Sequence, residues 1–417
     1  MGKKFQKNLY LTAGFNTVSL GTGRKEFSPK NPRPNIDQYI SDAGKGTLKQ
    51  LTASASAIDD IVISNFMAGR FVKQGHLGAF ASVIDPALEY KPSIRVEGAC
   101  CSGGLGLMTS IRNVLSGLSD VSLTVGVEVQ NTVKALYGAD ILAGAAYYAG
   151  MRKEGHAFFF PGIFDKRAKA YSEKYGAEKT RQALARWYEN AILNARKCPE
   201  AQEHHNTDPN PYQTGLTTPN AKAFLPNLNV FDCSKVSDGG SSIIVASEEG
   251  LNKLGKDKSE AIQIAGYGHV VGNITVTYPD ASVLETTRRA VAAAYEMAGI
   301  GPDDIGVFEC HDCFTITGLL SIEAAGFAEK GKGADFVLAN NIRSEGRLPT
   351  NTSGGLVGFG HYTGGTGIRQ AVDVWKQLTK TAAGTQVNID PNRPYGLTIS
   401  MGGDDKSVVA IVYQRAF

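Results

Sequence analysis

Nowhere does this 417-residue chain hold the roughly 18–20 consecutive apolar residues of a membrane-spanning helix, so no membrane span is expected. Cysteine is sparse. Six in so long a chain cannot form the dense disulfide framework of a small secreted domain, which predicts reduced thiols in an intracellular compartment, cytoplasm or mitochondrial matrix. Neither sign of charge dominates: 43 Lys and Arg against 40 Asp and Glu leave +3, too little for a global nucleic-acid footprint, and no nucleic-acid partner is expected. No P-loop or dinucleotide fingerprint occurs. Gln414-Arg415-Ala416-Phe417 carries no S-K-L-type peroxisomal address, and Gln6 stands where myristoylation prefers serine or threonine. The start, MGKKFQKNLYLTAG, has Lys3, Lys4 and Lys7 and no acid, but Asn8 to Gly14 reads as the beginning of a first strand rather than as a cleavable presequence.

What is present is ample for a large core: 42% of residues are hydrophobic and 20% charged, at a length that predicts two or three structural units. Short apolar runs alternate with helical stretches in both halves. IDDIVISNF (58–66), PSIRVEG and VSLTVGVEV read as buried strands, with LGLMTSIRNVLSGL as a helix between the last two. AIQIAGYG, IGVFECHD, LTISMGG and SVVAIVYQ repeat the plan as strands, with SVLETTRRAVAAAYEMAGI and TGIRQAVDVWKQLTKTAA as helices. Each half is expected to be a layered α/β unit. Residues 132–232 have a different texture, in part aromatic and basic, in part amphipathic, in part polar and proline-punctuated.

The most informative segment is VEGACCSGGLGLMTSI (96–111), where a cysteine pair stands between a strand-like run and a glycine-rich helix start. The partial positive charge of a helix N-terminus favours the thiolate, the form that attacks carbonyl carbon, so one of the two is a candidate nucleophile. Groups such a nucleophile needs occur later, in VFECHDCFTIT (307–317) and NTSGGLVGFGHYTGGTG (351–367).

Together the three segments resemble the thiolase family. The V-x-x-x-C-x-S-G pattern puts Cys100, not Cys101, at the acylated cysteine, and Gly360-His361 with Gly364-Gly365-Thr366-Gly367 matches the GHP-x-G-A-T-G loop. His311 to Phe314, HDCF, stands where most thiolases carry N-E-A-F and is similar to the sterol-carrier-protein-type thiolases. Weaker similarity runs from IDDIVISNF through GVEVQN (126–131) and SDGGSSIIVAS (237–247) to the final GGDDKSVVAIVY. The resemblance implies the α/β thiolase fold: two similar layered halves, five layers α-β-α-β-α, with an inserted loop domain. It places the N-terminal half at 1–131 plus 233–260, the loop domain at 132–232, and the C-terminal half at 261–417.

It also implies an acyltransferase that exchanges an acyl group between cysteine and coenzyme A and makes or breaks a carbon–carbon bond. Acyl-CoA and coenzyme A are then substrates and partners, no cofactor is tightly bound, and a homodimer is a possible assembly. Cys100 is the implied nucleophile and His361 its base, a role that suits neutral imidazole. Many thiolases transfer the second proton with a cysteine in a C-terminal C-G-G loop, but here Met401-Gly402-Gly403 stands there, and Cys313 is the implied replacement. His311 and His361 are placed to donate to one thioester oxyanion, and the backbone N–H groups of Cys100 and Gly403 to the other. Gly360, Gly364 and Gly365 are expected to let the backbone approach a bound thioester. The loop domain is implied to grip coenzyme A, with Lys166, Arg167, Lys169, Arg181, Arg186, Arg196 and Lys197 as candidates for its phosphates, none of them singled out as a site.

The chain departs from the family at Tyr362-Thr363, where proline-leucine is usual, at Gly365, where alanine is usual, and at Cys101, a second thiol beside the nucleophile. Other readings stand beside this one. Cys310-His311-Asp312-Cys313 is a C-x-x-C in a redox-like context, Cys198 with His204 and His205 has no closed zinc-ligand spacing, and Asp404-Asp405 is expected on a solvated turn. No metal is expected. The functional alternative is a thiolase-like protein that binds acyl-CoA or lipid with little turnover.

Overall fold

The computed structural model describes residues 5–28, 30–153 and 155–416; Lys3 and Lys4 of the basic start and the terminal Phe417 lie outside the described residues. Nine strands form among the described residues: β1 (Tyr10–Asn16), β2 (Asp60–Ser64), β3 (Ser93–Val96), β4 (Val121–Glu128), β5 (Gly239–Ala246), β6 (Ala261–Val271), β7 (Ile305–Glu309), β8 (Tyr395–Gly402) and β9 (Ser407–Arg415). Their hydrogen-bonded order is β3-β2-β4-β5-β1-β6-β9-β8-β7.

This order contains a duplication too faint for the sequence to prove. From β1 outward the first half runs β1-β5-β4-β2-β3, with two antiparallel pairings and then two parallel ones. From β6 outward the second runs β6-β9-β8-β7, with the same two antiparallel pairings and then a parallel one. The halves meet where Tyr10, Leu11 and Thr12 pair with Gln263, Ile262 and Ala261.

Val, Ile and Leu fill β2 and β4, whose every residue is buried, as expected for strands covered on both faces. PSIRVEG departs from its expected burial: β3 is the edge strand, and Ile94 on it is 50% exposed. Two helices, Ser102–Ser116 and Thr366–Leu378, pack on each other and on strands of both halves. Leu107, Ile111 and Val114 of the first join Ile368, Ala371 and Val372 of the second in one core with Ile243, Val245, Val409 and Ile411. Helix Ile36–Leu48 covers the first half from outside, and Glu285–Ala298 the second. Helices thus cover the outer side of each half of the sheet and the paired helices lie between the halves, the layering that the resemblance implies.

Glycine permits the central contact. A Cβ on Gly103 would lie 2.6 Å from the backbone nitrogen of Gly367, and one on Gly367 would lie 2.4 Å from that of Gly104. The two helix starts, with the loops just before them, are therefore held side by side. Between β4 and β5, residues 132–232 form helices at Ala135–Leu142, Tyr148–Met151, Phe159–Tyr175, Ala177–Arg196 and Pro211–Gly215. Phe164, Ala168, Tyr171, Leu184 and Trp187 of this segment share a core with Phe314, Ile316, Leu319 and Ile399 of the C-terminal half.

Candidate active site

Three loops converge at the ends of the central strands. The first joins β3 to helix Ser102–Ser116 through a tight turn, Ala99–Cys101, in which Ala99 takes the left-handed φ of 55°. Its backbone is tied down locally. Ala99 N–H donates to Glu97 Oε1 (2.6 Å), Gly98 N–H donates to Ser102 Oγ (3.0 Å), and Ser102 Oγ donates back to Ala99 O (2.6 Å). The two cysteines then part: Cys101 is fully buried with its Sγ donating to Ser400 O at 3.2 Å, whereas Cys100 is partly exposed.

The second loop, His311 to Phe314, follows β7. Cys310 N–H donates to Asn351 Oδ1 (2.8 Å), while the Asp312 carboxylate accepts from Trp187 Nε1 (3.0 Å) and Leu356 N–H (2.7 Å). Cys313 Sγ lies 3.6 Å from Thr317 Oγ1, and Phe314 stacks on Phe164 with ring centroids 4.5 Å apart. The third loop carries His361, whose N–H donates to Ser237 Oγ (3.0 Å) and whose carbonyl accepts from Gln130 Nε2 (2.7 Å). His361 Nδ1 sits 2.8 Å from Thr366 Oγ1, leaving Nε2 without a hydrogen-bond partner among the described residues.

These loops bring Cys100, His311 and His361 together, with one sulfur or ring nitrogen of each within 4.8 Å of the others. The imidazoles meet edge to face at 5.1 Å. Gly403, at φ 66°, turns its backbone N–H onto the Cys100 sulfur. Met401 is not part of this group: it is buried, and Thr287 Oγ1 lies 4.0 Å from its sulfur. A cleft of about 390 Å³, lined by Phe66, Met67, Arg95, Glu97 and Gly144, opens beside the cysteine turn.

The electrostatics correct the expected thiolate. Burial, the negative Glu128 and the neighbouring Cys101 push the Cys100 thiol up to about 12, against the opposing pull of backbone N–H groups from Cys100 and Gly403. The tight turn lies ahead of the helix, and dehydration of the sulfur outweighs the helix-end charge. Burial, aided by the charge of Arg369, holds His361 down at about 3, and burial with His361 and Arg369 holds His311 well below the usual range. Burial raises Cys313 well above a free thiol. The resting site therefore holds neutral thiols beside neutral imidazoles.

Other expectations change with the fold. Cβ atoms on Gly360, Gly364 and Gly365 would strike Ser19 Oγ (2.1 Å), Val127 O (2.3 Å) and the Tyr362 ring (2.6 Å), so these glycines are required by packing within the protein. Asp404-Asp405 is no solvated turn. Asp404 pairs with Arg167 at 2.5 Å, and Asp405, fully buried, accepts from Thr286 N–H (2.8 Å) and Thr287 N–H (2.9 Å) at the start of a helix. Of the basic candidates, Arg167 is spent on that pair, Arg181 on buried Asp232, Arg186 on Glu189, Lys169 on Glu173 and Arg196 on Asn206. Lys197 reaches Ser344 at 3.5 Å, while Lys166 is exposed with no ion pair among the described residues. Cys310 and Cys313 are free thiols with different neighbours, Asn351 and Thr317, and Cys198, His204 and His205 form no ligand cluster among the described residues.

Sequence reasoning missed the supports. Arg369, fully buried, donates to Ser353 Oγ (2.8 Å), pairs with Asp373, and lies 3.5 Å from Glu309. Its position three residues after the Gly364 to Thr366 loop was visible, but its partners come from other segments. Trp187, lost in an amphipathic helix, carried no signal of its bond to the HDCF loop.

An α/β fold of two like halves brings a cysteine and two imidazoles together, a set of groups that can carry out nucleophilic chemistry at a carbonyl carbon. Comparison with known proteins agrees. The family model described as Thiolase C-terminal domain-like matches residues 268–415. The chain is 31% identical over 396 residues to an acetyl-CoA acetyltransferase of Methanocaldococcus jannaschii, covering 93% of this chain and 96% of that protein. It is 27% identical over 424 residues to sterol carrier protein 2 of Rattus norvegicus, covering 95% and 72%. Human mitochondrial 3-ketoacyl-CoA thiolase shares the fold, with a TM-score of 0.69 at 14% identity over 99% of each chain. The chain belongs to the thiolase superfamily, with relatives of the sterol-carrier-protein type. No described helix is long and apolar enough to cross a membrane.

Proposed function

We propose that this protein is an acyl-CoA acyltransferase that cleaves 3-ketoacyl-CoA thiolytically, or runs the reverse Claisen condensation, in lipid metabolism. The observation that carries the reading is the meeting of Cys100, His311 and His361 from three distant segments. In cleavage, Cys100 Sγ gives its proton to His361 Nε2 as the sulfur bonds to the 3-keto carbon. The negative oxygen that forms is held by hydrogen-bond donors, one of which typically supplies about 3–4 kcal/mol of transition-state stabilisation. The C2–C3 bond then breaks, and its electron pair takes the proton of Cys313, releasing acetyl-CoA. Coenzyme A thiol finally attacks the acyl-cysteine, its proton restoring a protonated site, and the shortened acyl-CoA leaves.

With Cys100 and His361 both uncharged at rest, the thiolate arises only as a substrate oxygen becomes negative, which ties proton transfer to substrate arrival. Phe66, Met67, Ala99, Leu142, Ala145 and Phe160, which cluster beside the nucleophile, suit an apolar acyl group. Residues 132–232 are the proposed coenzyme A-binding loop domain, with exposed Lys166 among its cations that have no ion pair among the described residues.

The test offers a panel of 3-ketoacyl thioesters with coenzyme A, together with labelled acyl-CoA and peptide mapping. Shortened products and label on Cys100, absent in Cys100→Ala, are expected. Cys313→Ala should keep the label yet lose carbon–carbon cleavage. Binding of a non-reactive analogue without turnover of any thioester would replace this reading by the acyl-CoA-binding alternative.

A further inference from the structure

The geometry points to a second use of the same three side chains: Cys100, His311 and His361 form a reversible site for a borderline-soft divalent cation of the zinc class, which occupies the position of the acyl substrate. One thiolate and two imidazoles with an open fourth position is a ligand set that tetrahedral Zn²⁺ accepts. Zn–S near 2.3 Å and Zn–N near 2.0 Å set such ligand atoms about 3.3–3.6 Å apart, so the present spacing within 4.8 Å has at most about 1.5 Å to close on binding.

Two further observations favour a cation. His311 and His361 are 1% and 7% exposed, yet His311 Nδ1 and His361 Nε2 are buried without a hydrogen-bond partner among the described residues. Unpaired buried nitrogen is costly, and a metal bond removes that cost. His361 Nδ1 already rests on Thr366 Oγ1 at 2.8 Å, the outer contact that orients a metal-bound imidazole. The surrounding charge is compatible. Glu128, whose negative charge opposes a bare thiolate at Cys100, attracts a cation there, while the charge of buried Arg369 opposes one at the imidazoles and is offset in part by its ion pair with Asp373.

On binding, the Cys100 S–H bond breaks, its proton leaves to solvent, and the sulfur pair goes to the metal with no change of oxidation state. A cation so held competes with a thioester carbonyl and shields the sulfur from oxidants and alkylating agents. The inference does not require acyl transfer, since metal affinity is measured on the protein alone.

The experiment titrates tag-free, chelator-treated full-length protein with Co²⁺ as the spectroscopic probe and then displaces it with Zn²⁺. One equivalent of Co²⁺ should produce a thiolate-to-metal charge-transfer band that Zn²⁺ abolishes. Cys100→Ser should lose the band, and His311→Asn or His361→Asn should weaken Zn²⁺ binding by about tenfold or more. In the unaltered protein, Zn²⁺ should slow iodoacetamide labelling of Cys100, mapped by mass spectrometry, which keeps the proposal falsifiable if a variant fails to fold. Absence of a thiolate band, affinity in all three variants unchanged from that of the unaltered protein, or Cys100 labelling indifferent to Zn²⁺ would each overturn it.

Discussion

His361 is neutral because the fold dehydrates it, and that has a measurable consequence. Its folded value of about 3 lies below the roughly 6.5 of an unfolded histidine, so between those values the unfolded chain takes a proton that the folded chain refuses. Stability contributed by His361 is thus complete above about pH 6.5 and is lost as pH falls toward 3, by up to about 1.4 kcal/mol per pH unit. His361→Asn removes one titrating group, and its urea stability between pH 7 and 5 should fall less steeply than that of the unaltered protein. Parallel slopes would contradict a buried neutral imidazole. The buried carboxylates Glu128, Asp312 and Asp405, each pushed up to about 6 by burial, act in the opposite sense and are common to both proteins.

Among elements, the HDCF loop depends on an anchor from the inserted segment. Trp187 on helix Ala177–Arg196 donates to Asp312 at 3.0 Å, and its ring packs against helix Thr315–Ala324 at Gly318, where a Cβ would come within 2.2 Å of it. Trp187→Phe keeps most of the packing but takes one donor from a fully buried carboxylate, a loss of about 1–3 kcal/mol. Chemical denaturation should register that loss. If Asp312 positions the adjacent residues, turnover should fall as well, while Trp187→Phe with unchanged stability and turnover would show the anchor to be idle.

At the scale of the molecule, the two halves are held together by the paired central helices. Gly103→Ala would place a methyl group 2.6 Å from the Gly367 backbone, where neither helix can yield without moving a loop of the site. Overpacking of this kind costs about 1–3 kcal/mol, and here it should also reduce labelling of Cys100 by acyl-CoA. Ala at Gly117, where a Cβ meets nothing but φ is 80°, provides a control for backbone strain alone. Equal effects of the two variants on labelling would remove the close approach as their cause.

Much of this was legible in the sequence because local pattern carries it. Local pattern marked every strand except β5, the change of texture at 132 marked the helical segment between β4 and β5, and three motifs marked Cys100, His311 and His361, which the fold brings together. What the tertiary structure decided depends on neighbours distant along the chain. The protonation of Cys100 and His361 follows from dehydration by several segments and from Glu128 and Arg369, none of them near in sequence to both. The roles of Arg167, Asp405 and Trp187 likewise depend on partners more than a hundred residues away, as does the exposure of β3, an edge only because no further strand pairs with it. Periodicity and turn chemistry are properties of adjacent residues, whereas burial and electric field are properties of the packed whole.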